Sequence, residues 1–448
     1  MNRITRNALA VLAMCLIGAS TANLHAASFS DDNWSNIGNI LKEGPLPLVA
    51  GRVLAAVVDG SGNLYIGGDF MIAGGVFATN IAKWNGSTWS ALGSGVGGEV
   101  WALAVSGRDL YVGGWFTTAG GTPANYIARW NGTNWSALGS GVDQIVSELA
   151  VSGSDVYAGG YFTTAGGVSA NHIAKWNGSS WGALGSGLEG NVFMYALAAS
   201  GSNLYAGGTF TTAGGAPANN IARWNGGSWS ALGSGIDGYV YALAVSGSEL
   251  YAGGWFWAAG GNPTTNIARW NGTSWSGLAS GITAPDDEQY NGGAVGTLAA
   301  SGTDLYAGGH FTSAGGLSAN SIAKWDGSSW SPLGSGMDYY GSVFALAVSG
   351  VDLYAGGDFT TAGGKVSIYI ARAYLLSLPT LSVLRSSANA TISWPSTNTS
   401  DFALERASAL ATPMNWLPNS ATITDNGTNK SVTLPATNPA QFFRLRRP

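Results

Sequence analysis

Glu148 is a residue whose type and position could support acid or base chemistry. It lies in the apolar run VSELAV, and similar stretches of the chain carry alanine at the equivalent position, as at Ala102, Ala196, Ala242 and Ala345. A carboxyl group in apolar surroundings can have a raised pKa and act as a general acid or base. The sequence identifies no partner for it, so a residue that merely faces a water-filled channel is the alternative. Glu148 is the single catalytic candidate.

A second group has the chemistry of a cation site. Asp286, Asp287, Glu288 and Asn291 place four oxygen-bearing side chains within six residues. Oxygen ligands from a flexible loop suit Ca²⁺. A solvated acidic loop explains the same residues. The sequence indicates no other cofactor, so the expectation is either a calcium site here or no cofactor.

The third group is aromatic, and carboxylates are interspersed with it. The apolar face of a sugar ring stacks on an aromatic side chain, while its hydroxyls bond to carboxylates. Packing between repeats would explain the same aromatic residues, so the sequence allows two interpretations, a glycan site and a structural edge of the repeats. The candidates for ligand binding, all outside the regular repeat pattern, are Trp101, Trp115, Tyr161, Tyr195, Tyr241, Trp255, Trp257 and Phe344.

An internal repeat supplies the elements that position these residues. The stretch from Val100 to Gly141 recurs in close copies from about residue 53 to about residue 372. Within it, Val100–Val105, Asp109–Phe116, Asn125–Trp130 and Trp135–Leu138 are predicted to be short strands, because aliphatic and aromatic runs alternate with Gly, Ser, Thr and Asn turns. Four strands repeated about every 46 residues are typical of a propeller blade.

Seven copies are present, and the last one is incomplete. The first six end in a hairpin with paired tryptophans, but the seventh stops after Arg372. The missing strand matches Trp34–Gly38 near the N-terminus, since WSNIG resembles WSALG. The prediction is therefore a seven-bladed β-propeller of four-stranded blades in which the N-terminal strand closes blade seven and removes an exposed edge. The copies are marked by Tyr65, Tyr111, Tyr157, Tyr205, Tyr251, Tyr306 and Tyr354.

These copies resemble the kelch repeat, through the Gly-Gly doublet, the aromatic residue after it, and the tryptophan after a short turn. In detail, GGxFTTAGG followed by NxIAKWNGSSWSALGSG is similar to repeats of the fungal cortical marker family of cell polarity and of related bacterial secreted propellers. The resemblance implies a fold like that of galactose oxidase, with a binding face. The copper chemistry of that enzyme needs His and Tyr ligands and a Cys, whereas only His172 and His310 lie within the repeats, which contain no Cys.

The last part of the chain reads as a separate domain. Residues 378–448 carry 6 basic and 3 acidic residues, against 11 and 21 in residues 27–377. The runs ATISWP, FALERAS, SVTLPA and FFRLRRP are predicted to be strands between polar turns. This tail resembles small fibronectin-III-like domains appended to exported bacterial proteins. We expect a small β-sandwich over residues 378–448, with a propeller over residues 27–377.

The N-terminus has the layout of a secretory signal. Arg3 and Arg6 precede the apolar run from Ala8 to Ile17, and small residues lead to a cleavage site near Ala26. Residues 1–26 are thus expected to be removed, which leaves 17 basic and 24 acidic residues. This acidic balance argues against a nucleic-acid partner, and no later apolar run approaches the roughly 18 residues of a spanning helix.

The sequence therefore predicts an all-β secreted protein, extracellular or periplasmic, and monomeric. Its expected role is binding or interaction through one face of the propeller, with a glycan or an extracellular protein as partner. A polysaccharide-active enzyme on the same face, a lyase or a glycoside hydrolase, is the alternative. The sequence does not identify the ligand.

Overall fold

The computed structural model describes residues 10–12, 29–41, 51–284, 294–338, 341–376, 379, 381–386, 388–396, 399, 402–407, 416–435 and 442–446. The chain forms two compact units, one of Asn36–Ala373 and one of Met1–Ser35 with Tyr374–Pro448. Within the described ranges the regular structure is β-strand, apart from a 3-10 turn at Asp31–Asn33. No helix in those ranges has the length and apolar character needed to cross a membrane.

Each repeat folds into an antiparallel sheet of four strands that are hydrogen-bonded in chain order. The first strands are Arg52–Val58, Glu99–Ser106, Val146–Ser152, Phe193–Ser200, Tyr239–Ser246, Ala294–Ser301 and Val343–Ser349. The second strands are Leu64–Asp69, Asp109–Trp115, Asp155–Gly160, Asn203–Thr209, Glu249–Trp255, Asp304–His310 and Asp352–Gly357. The third strands are Ile81–Trp84, Ile127–Trp130, Ile173–Trp176, Ile221–Trp224, Ile267–Trp270, Ile322–Trp325 and Ile370–Tyr374. The fourth strands are Trp89–Ala91, Trp135–Ala137, Trp181–Ala183, Trp229–Ala231, Trp275–Gly277 and Trp330–Pro332. The seventh repeat itself supplies three strands, and the segment expected to complete it, Trp34–Gly38, contains the strand Trp34–Ser35.

The predicted strands of the second repeat are confirmed to within one or two residues, but a short hairpin between strands two and three was missed. Thr118–Ala119 pairs with Thr122–Pro123, and Gly120 and Gly121 form the turn with φ angles of 61° and 77°. Left-handed backbone of this kind favours glycine. Two-residue strands are too short to show the alternation that predicts longer ones. The equivalent hairpins are Ile72–Ala73 with Val76–Phe77, Thr164–Ala165 with Val168–Ser169, Thr212–Ala213 with Ala216–Pro217, Ala258–Ala259 with Asn262–Pro263, Ser313–Ala314 with Leu317–Ser318, and Thr361–Ala362 with Lys365–Val366.

Three further short strands extend these hairpins. Ile40–Leu41 pairs with Ile72–Ala73, Leu188–Glu189 with Thr212–Ala213, and Ile282–Thr283 with Ser313–Ala314. In each case the added strand precedes the first strand of a repeat and pairs with that repeat's own hairpin. The segment before each of these first strands is thereby hydrogen-bonded to the same repeat that the strand belongs to.

The Gly-Gly doublet sets how closely neighbouring repeats pack. A Cβ atom on Gly113 would lie 2.5 Å from Cγ1 of Val146 in the next repeat, and one on Gly114 would lie 2.1 Å from the carbonyl oxygen of Glu99. Both distances are shorter than real carbon contacts allow, so only glycine fits. Gly356 of the seventh repeat stands in the same relation to Val53 of the first, at 2.4 Å from Cγ1.

The second tryptophan of each hairpin joins a repeat to the one before it. Trp135 Nε1 donates to the carbonyl of Leu92 at 2.8 Å, and Trp275 Nε1 donates to that of Leu232 at 2.9 Å. In the first repeat, Trp89 Nε1 donates to the carbonyl of Ile37, which occupies the place of Leu92 in the matching sequence WSNIG. These bonds satisfy the indole N–H where the ring packs against the neighbouring repeat.

The recurring basic and acidic residues pair within each repeat. Arg129 Nε lies 3.0 Å from Asp109 and Lys324 Nζ lies 2.7 Å from Asp304. The described pairs of this kind lie within one repeat, because strands two and three lie side by side. The side chains are partly exposed, so each pair contributes little to stability, about 0 to 1 kcal/mol.

The unit of Met1–Ser35 with Tyr374–Pro448 has two antiparallel sheets. One has the order Ser382–Arg385, Asn389–Pro395, Asn429–Pro435, Thr424–Asp425. The other has the order Ala10–Leu12, Phe442–Arg446, Ala403–Ala407, Leu417–Pro418. The four strands predicted in the tail are present. Trp394 is 2% exposed, whereas Trp416 is only partly buried, with the Arg444 guanidinium 4.3 Å from its ring centroid.

Candidate functional site

A β-bulge in the first strand of every repeat creates the candidate site. In the second repeat Val100 pairs with Gly114 and Ala102 with Gly113, so Trp101 between them is left without a partner in the ladder. A bulge redirects the extra side chain away from the pleat. The seven bulge residues are Leu54, Trp101, Ser147, Tyr195, Tyr241, Gly296 and Phe344.

The first strands of all seven repeats line one cavity of about 160 Å³. Six of the seven bulge residues contribute to its lining, four of them aromatic: Trp101, Tyr195, Tyr241 and Phe344. The exception is Ser147, whose hydroxyl is turned to the backbone and donates to the carbonyl of Met194 at 2.7 Å. The repeat thus presents its most variable position to the cavity, and the residue after it is alanine in five of the seven repeats.

Glu148 also lines this cavity, in the place where most other repeats carry alanine. It is the one charged residue among the described residues of the lining. No described residue forms a hydrogen bond or an ion pair with its carboxyl group. Burial without compensation raises the pKa of Glu148 well above its usual value of 4.5.

This environment predicts that Glu148→Gln stabilises the protein increasingly as the pH rises. The folded state holds the proton of Glu148 above pH 4.5, where the unfolded chain has released it, so wild-type stability falls with rising pH until the folded pKa is passed. Each unit of separation between the folded and unfolded pKa values contributes about 1.4 kcal/mol. Urea unfolding from pH 4 to pH 9 measures the difference. Glu189→Gln, at an exposed position of the short strand Leu188–Glu189, is the control. A pH-independent difference would contradict the argument.

Eight aromatic rings contact one another in a continuous series, and we call this series the aromatic arc. Successive ring centroids lie 4.8 to 6.4 Å apart, in stacked and edge-to-face arrangements. The arc runs from the second repeat to the fifth. In order of contact its members are Trp101, Tyr161, Phe193, Tyr195, Tyr241, Tyr239, Trp255 and Trp257.

The arc has a half-buried end and an exposed end. Trp101 is partly buried beside the cavity, and its Nε1 donates to Glu99 Oε2 at 2.9 Å. At the other end the rings of Tyr239 and Trp255 stack at 5.4 Å, and Trp257 beyond them is 56% exposed. Large apolar side chains exposed together are typical of binding surfaces.

Two tyrosines of the arc keep their protons over the physiological pH range. Burial raises the pKa of Tyr241 to about 12, and neighbouring Tyr239 adds to this effect. Burial also raises the pKa of Tyr195 strongly, with smaller contributions from the surrounding tyrosines. Their hydroxyls therefore remain neutral groups that can donate and accept hydrogen bonds.

The predicted ligand-binding residues are brought together in part. Six of them are members of the arc, and Phe344 lines the cavity. Trp115 is 59% exposed and is the register partner of Glu99, but no ring contact in the described residues joins it to the arc. The sequence analysis did not select Phe193 and Tyr239, which complete the arc. Comparing the residues that precede the bulge in each repeat would have shown both as aromatic.

Several of the carboxylates interspersed with the aromatic candidates accept hydrogen bonds from the backbone. Asp143 Oδ1 accepts the backbone N–H groups of Thr163 and Thr164, each at 2.9 Å, and Asp237 does the same for Trp257 and Ala258. Burial alone would raise the pKa of Asp143, but these hydrogen bonds hold it below its usual value. Such carboxylates hold the loops between strands in place. A structural role therefore explains them without a bound glycan.

The predicted calcium ligands Asp286, Asp287, Glu288 and Asn291 lie outside the described residues. Within the described ranges no group of three or more His, Cys, Asp or Glu side chains is arranged to hold a metal ion. His172 has a φ of 65°, and its Nδ1 lies 3.0 Å from the carbonyl of Gly160, which suits a turn.

Comparison with known proteins concerns the repeats. Residues 136–287 match a family described as the Rax2 C-terminal beta propeller domain, and residues 109–136 match a beta-propeller domain of unknown function, DUF5122. A search of curated proteins gave no match.

Solved structures similar to the chain include propellers of low sequence identity. The WD40 beta propeller domain of Doa1 is 14% identical over 75% of this chain and 97% of its own, with a TM-score of 0.45. The designed protein Ika8 is 16% identical over 75% and 100%, at 0.43. The beta-propeller domain of the Trilobed protease from Pyrococcus furiosus is 10% identical over 73% and 98%, at 0.42. Such scores carry no functional information. The family matches, together with the repeated four-stranded sheets, show that the chain contains a β-propeller.

Proposed function

We propose that this protein is a secreted, closed, seven-bladed propeller of the kelch type that binds a carbohydrate through the aromatic arc. The propeller comprises residues 27–377, the fibronectin-III-like tail comprises residues 378–448, and residues 1–26 are removed on export. The packing of Gly356 on Val53 supports closure, because it repeats the contact between Gly113 and Val146 inside the chain. The hydrogen bond from Ile40 N to the carbonyl of Ile368, at 3.2 Å, also supports it.

The observation that carries the binding proposal is the continuity of the arc. Isolated exposed aromatics are ordinary on protein surfaces, but eight rings in mutual contact leading to Trp257, with 56% of its surface exposed, form a platform. Sugar rings present flat C–H faces that such a platform can stack against. Tyr195 and Tyr241 add neutral hydroxyls for hydrogen bonds. A protein partner on the cell surface is the second candidate for the same platform.

Binding fits this geometry better than polysaccharide hydrolysis does. Glycoside hydrolysis ordinarily uses two carboxyl groups about 5 to 10 Å apart. Glu148 is the only carboxylate among the described lining residues of the cavity. Its raised pKa suits a general acid, but the described residues give it no nucleophile or base to work with. The enzyme alternative therefore needs a second carboxylate from outside this lining.

Trp257→Ala is expected to weaken glycan binding by about 2 kcal/mol, roughly thirtyfold, because aromatic anchors carry a large share of binding energy. A glycan array identifies the ligand, and calorimetry with it measures the change. Phe77→Ala is the matched control, since Phe77 is 64% exposed but has no ring contact with the arc among the described residues. Unchanged binding by the Trp257 variant would contradict the proposal. Shortened oligosaccharides in the reaction would favour the enzyme.

A further inference from the structure

The cavity inside the first strands combines three features. It is lined by Glu148, a partly buried residue whose carboxyl group has no partner among the described residues. Four aromatic residues line the same space: Trp101, Tyr195, Tyr241 and Phe344. No basic residue is present among the described residues of the lining.

These features favour a positively charged ligand. A carboxyl group that is partly withdrawn from water and has no partner either keeps its proton or ionises beside a cation. Aromatic faces attract cations because their π-electrons are negative, most strongly where water is excluded. The equivalent position in the second repeat is Ala102, so the fold does not require a carboxylate here. An anion would be repelled, and a neutral sugar would leave the carboxylate uncompensated.

The cavity volume limits the size of the ligand. At about 160 Å³ it is close to the roughly 150 Å³ engineered cavity that accommodates benzene in another protein. A group of about six non-hydrogen atoms is therefore the largest that fits inside. An ammonium group carrying small alkyl substituents, or the amino-bearing corner of a larger molecule, meets this limit.

We propose that the cavity binds the ammonium group of a small organic cation, with Glu148 as its counter-charge and the rings of Trp101, Tyr195 and Tyr241 around it. This inference does not rest on the carbohydrate proposal, although the two sites share these rings. The ammonium group could belong to a free alkylammonium or to an amino sugar. Trp257 lies at the far end of the arc and has no part in the cavity.

Calorimetry with two pairs of probes tests this inference. Choline is compared with 3,3-dimethylbutan-1-ol, its neutral analogue, and glucosamine with N-acetylglucosamine. We expect one cation to bind at least tenfold more tightly than its neutral partner, and the pair that responds distinguishes the free alkylammonium from the amino sugar. Equal binding within both pairs, or no binding by either cation at millimolar concentration, would overturn the proposal.

Variants assign the effect to the carboxylate. Glu148→Gln should reduce affinity for the cation at least tenfold, whereas Glu189→Gln and Trp257→Ala should leave it unchanged. Loss of glycan binding in Trp257→Ala with choline or glucosamine binding retained would separate the two sites. Retained cation affinity in Glu148→Gln would refute the assignment.

A measurement on the unaltered protein decides the case if Glu148→Gln does not fold. Cation binding should release protons at pH values between the usual pKa of a glutamate and the raised pKa of Glu148, because there the carboxyl group must ionise to pair with the ligand. Titrations in two buffers with different ionisation enthalpies reveal this release. Tyr195 and Tyr241 are the other titratable groups in the described lining, and their raised pKa values keep them neutral at pH 5 to 8. Binding without proton release at any pH in this range would count against Glu148.

Discussion

Trp275→Ala is expected to destabilise the protein by about 3 to 5 kcal/mol, the usual cost of removing a buried tryptophan. Trp275 is 3% exposed, packs on Trp270 at 5.4 Å between ring centroids, and donates its Nε1 hydrogen bond to Leu232 of the preceding repeat. The substitution would open a cavity and also leave the Leu232 carbonyl without this donor. Urea unfolding measures the free-energy change, and Trp275→Phe should cost less because it keeps most of the apolar contact.

The control lies in the same repeat. Trp257 is 56% exposed, so Trp257→Ala should change stability by about 1 kcal/mol or less. The repeat tryptophans would then be architectural and the arc tryptophans available for binding. Equal destabilisation by the two variants would mean that the arc is part of the core, and the carbohydrate proposal would lose its main support.

Removing residues 27–41 is expected to cost roughly 3 to 6 kcal/mol of stability. Ile37 is 8% exposed and Ile40 is fully buried, and burying each such side chain contributes about 1.5 to 3 kcal/mol. The deletion also removes the hydrogen bonds to Trp89 and Ile368. Thermal unfolding of chains that begin at residue 27 and at residue 42 makes the comparison.

A pair of glycine substitutions tests closure without a deletion. Gly253→Ala places a Cβ atom 2.5 Å from Val295 inside the series of repeats, and Gly356→Ala places one 2.4 Å from Val53 where the last repeat meets the first. Overpacking of this kind costs about 1 to 3 kcal/mol. A closed ring predicts similar losses at both sites. If the Gly356 variant were as stable as wild type while the Gly253 variant was not, the ring would be open. A chain that begins at residue 42 and is as stable as the one that begins at residue 27 would agree with that result.

The repeat architecture could be predicted from the sequence because its determinants are local. Alternating apolar residues and the Asn131-Gly132 turn predicted Asp109–Phe116 and Trp135–Leu138, and the strands observed are Asp109–Trp115 and Trp135–Ala137. Gly132 has a φ of 98°, a left-handed conformation that glycine adopts more readily than other residues. Sevenfold repetition of these signals also made the missing strand of the last repeat noticeable.

Only the tertiary structure decided the composition of the candidate site. The bulge at Trp101 depends on the pairing of two strands, and nothing in the alternation of a single strand predicts it. Ring contacts such as that of Tyr195 with Tyr241, 46 residues apart in sequence and 5.1 Å apart between centroids, depend on how adjacent sheets pack. The environment of Glu148 was also decided by the tertiary structure, although its residue type was evident from the sequence. Its burial among aromatic rings, which determines its pKa and the ligand it favours, required all seven first strands to converge on one cavity.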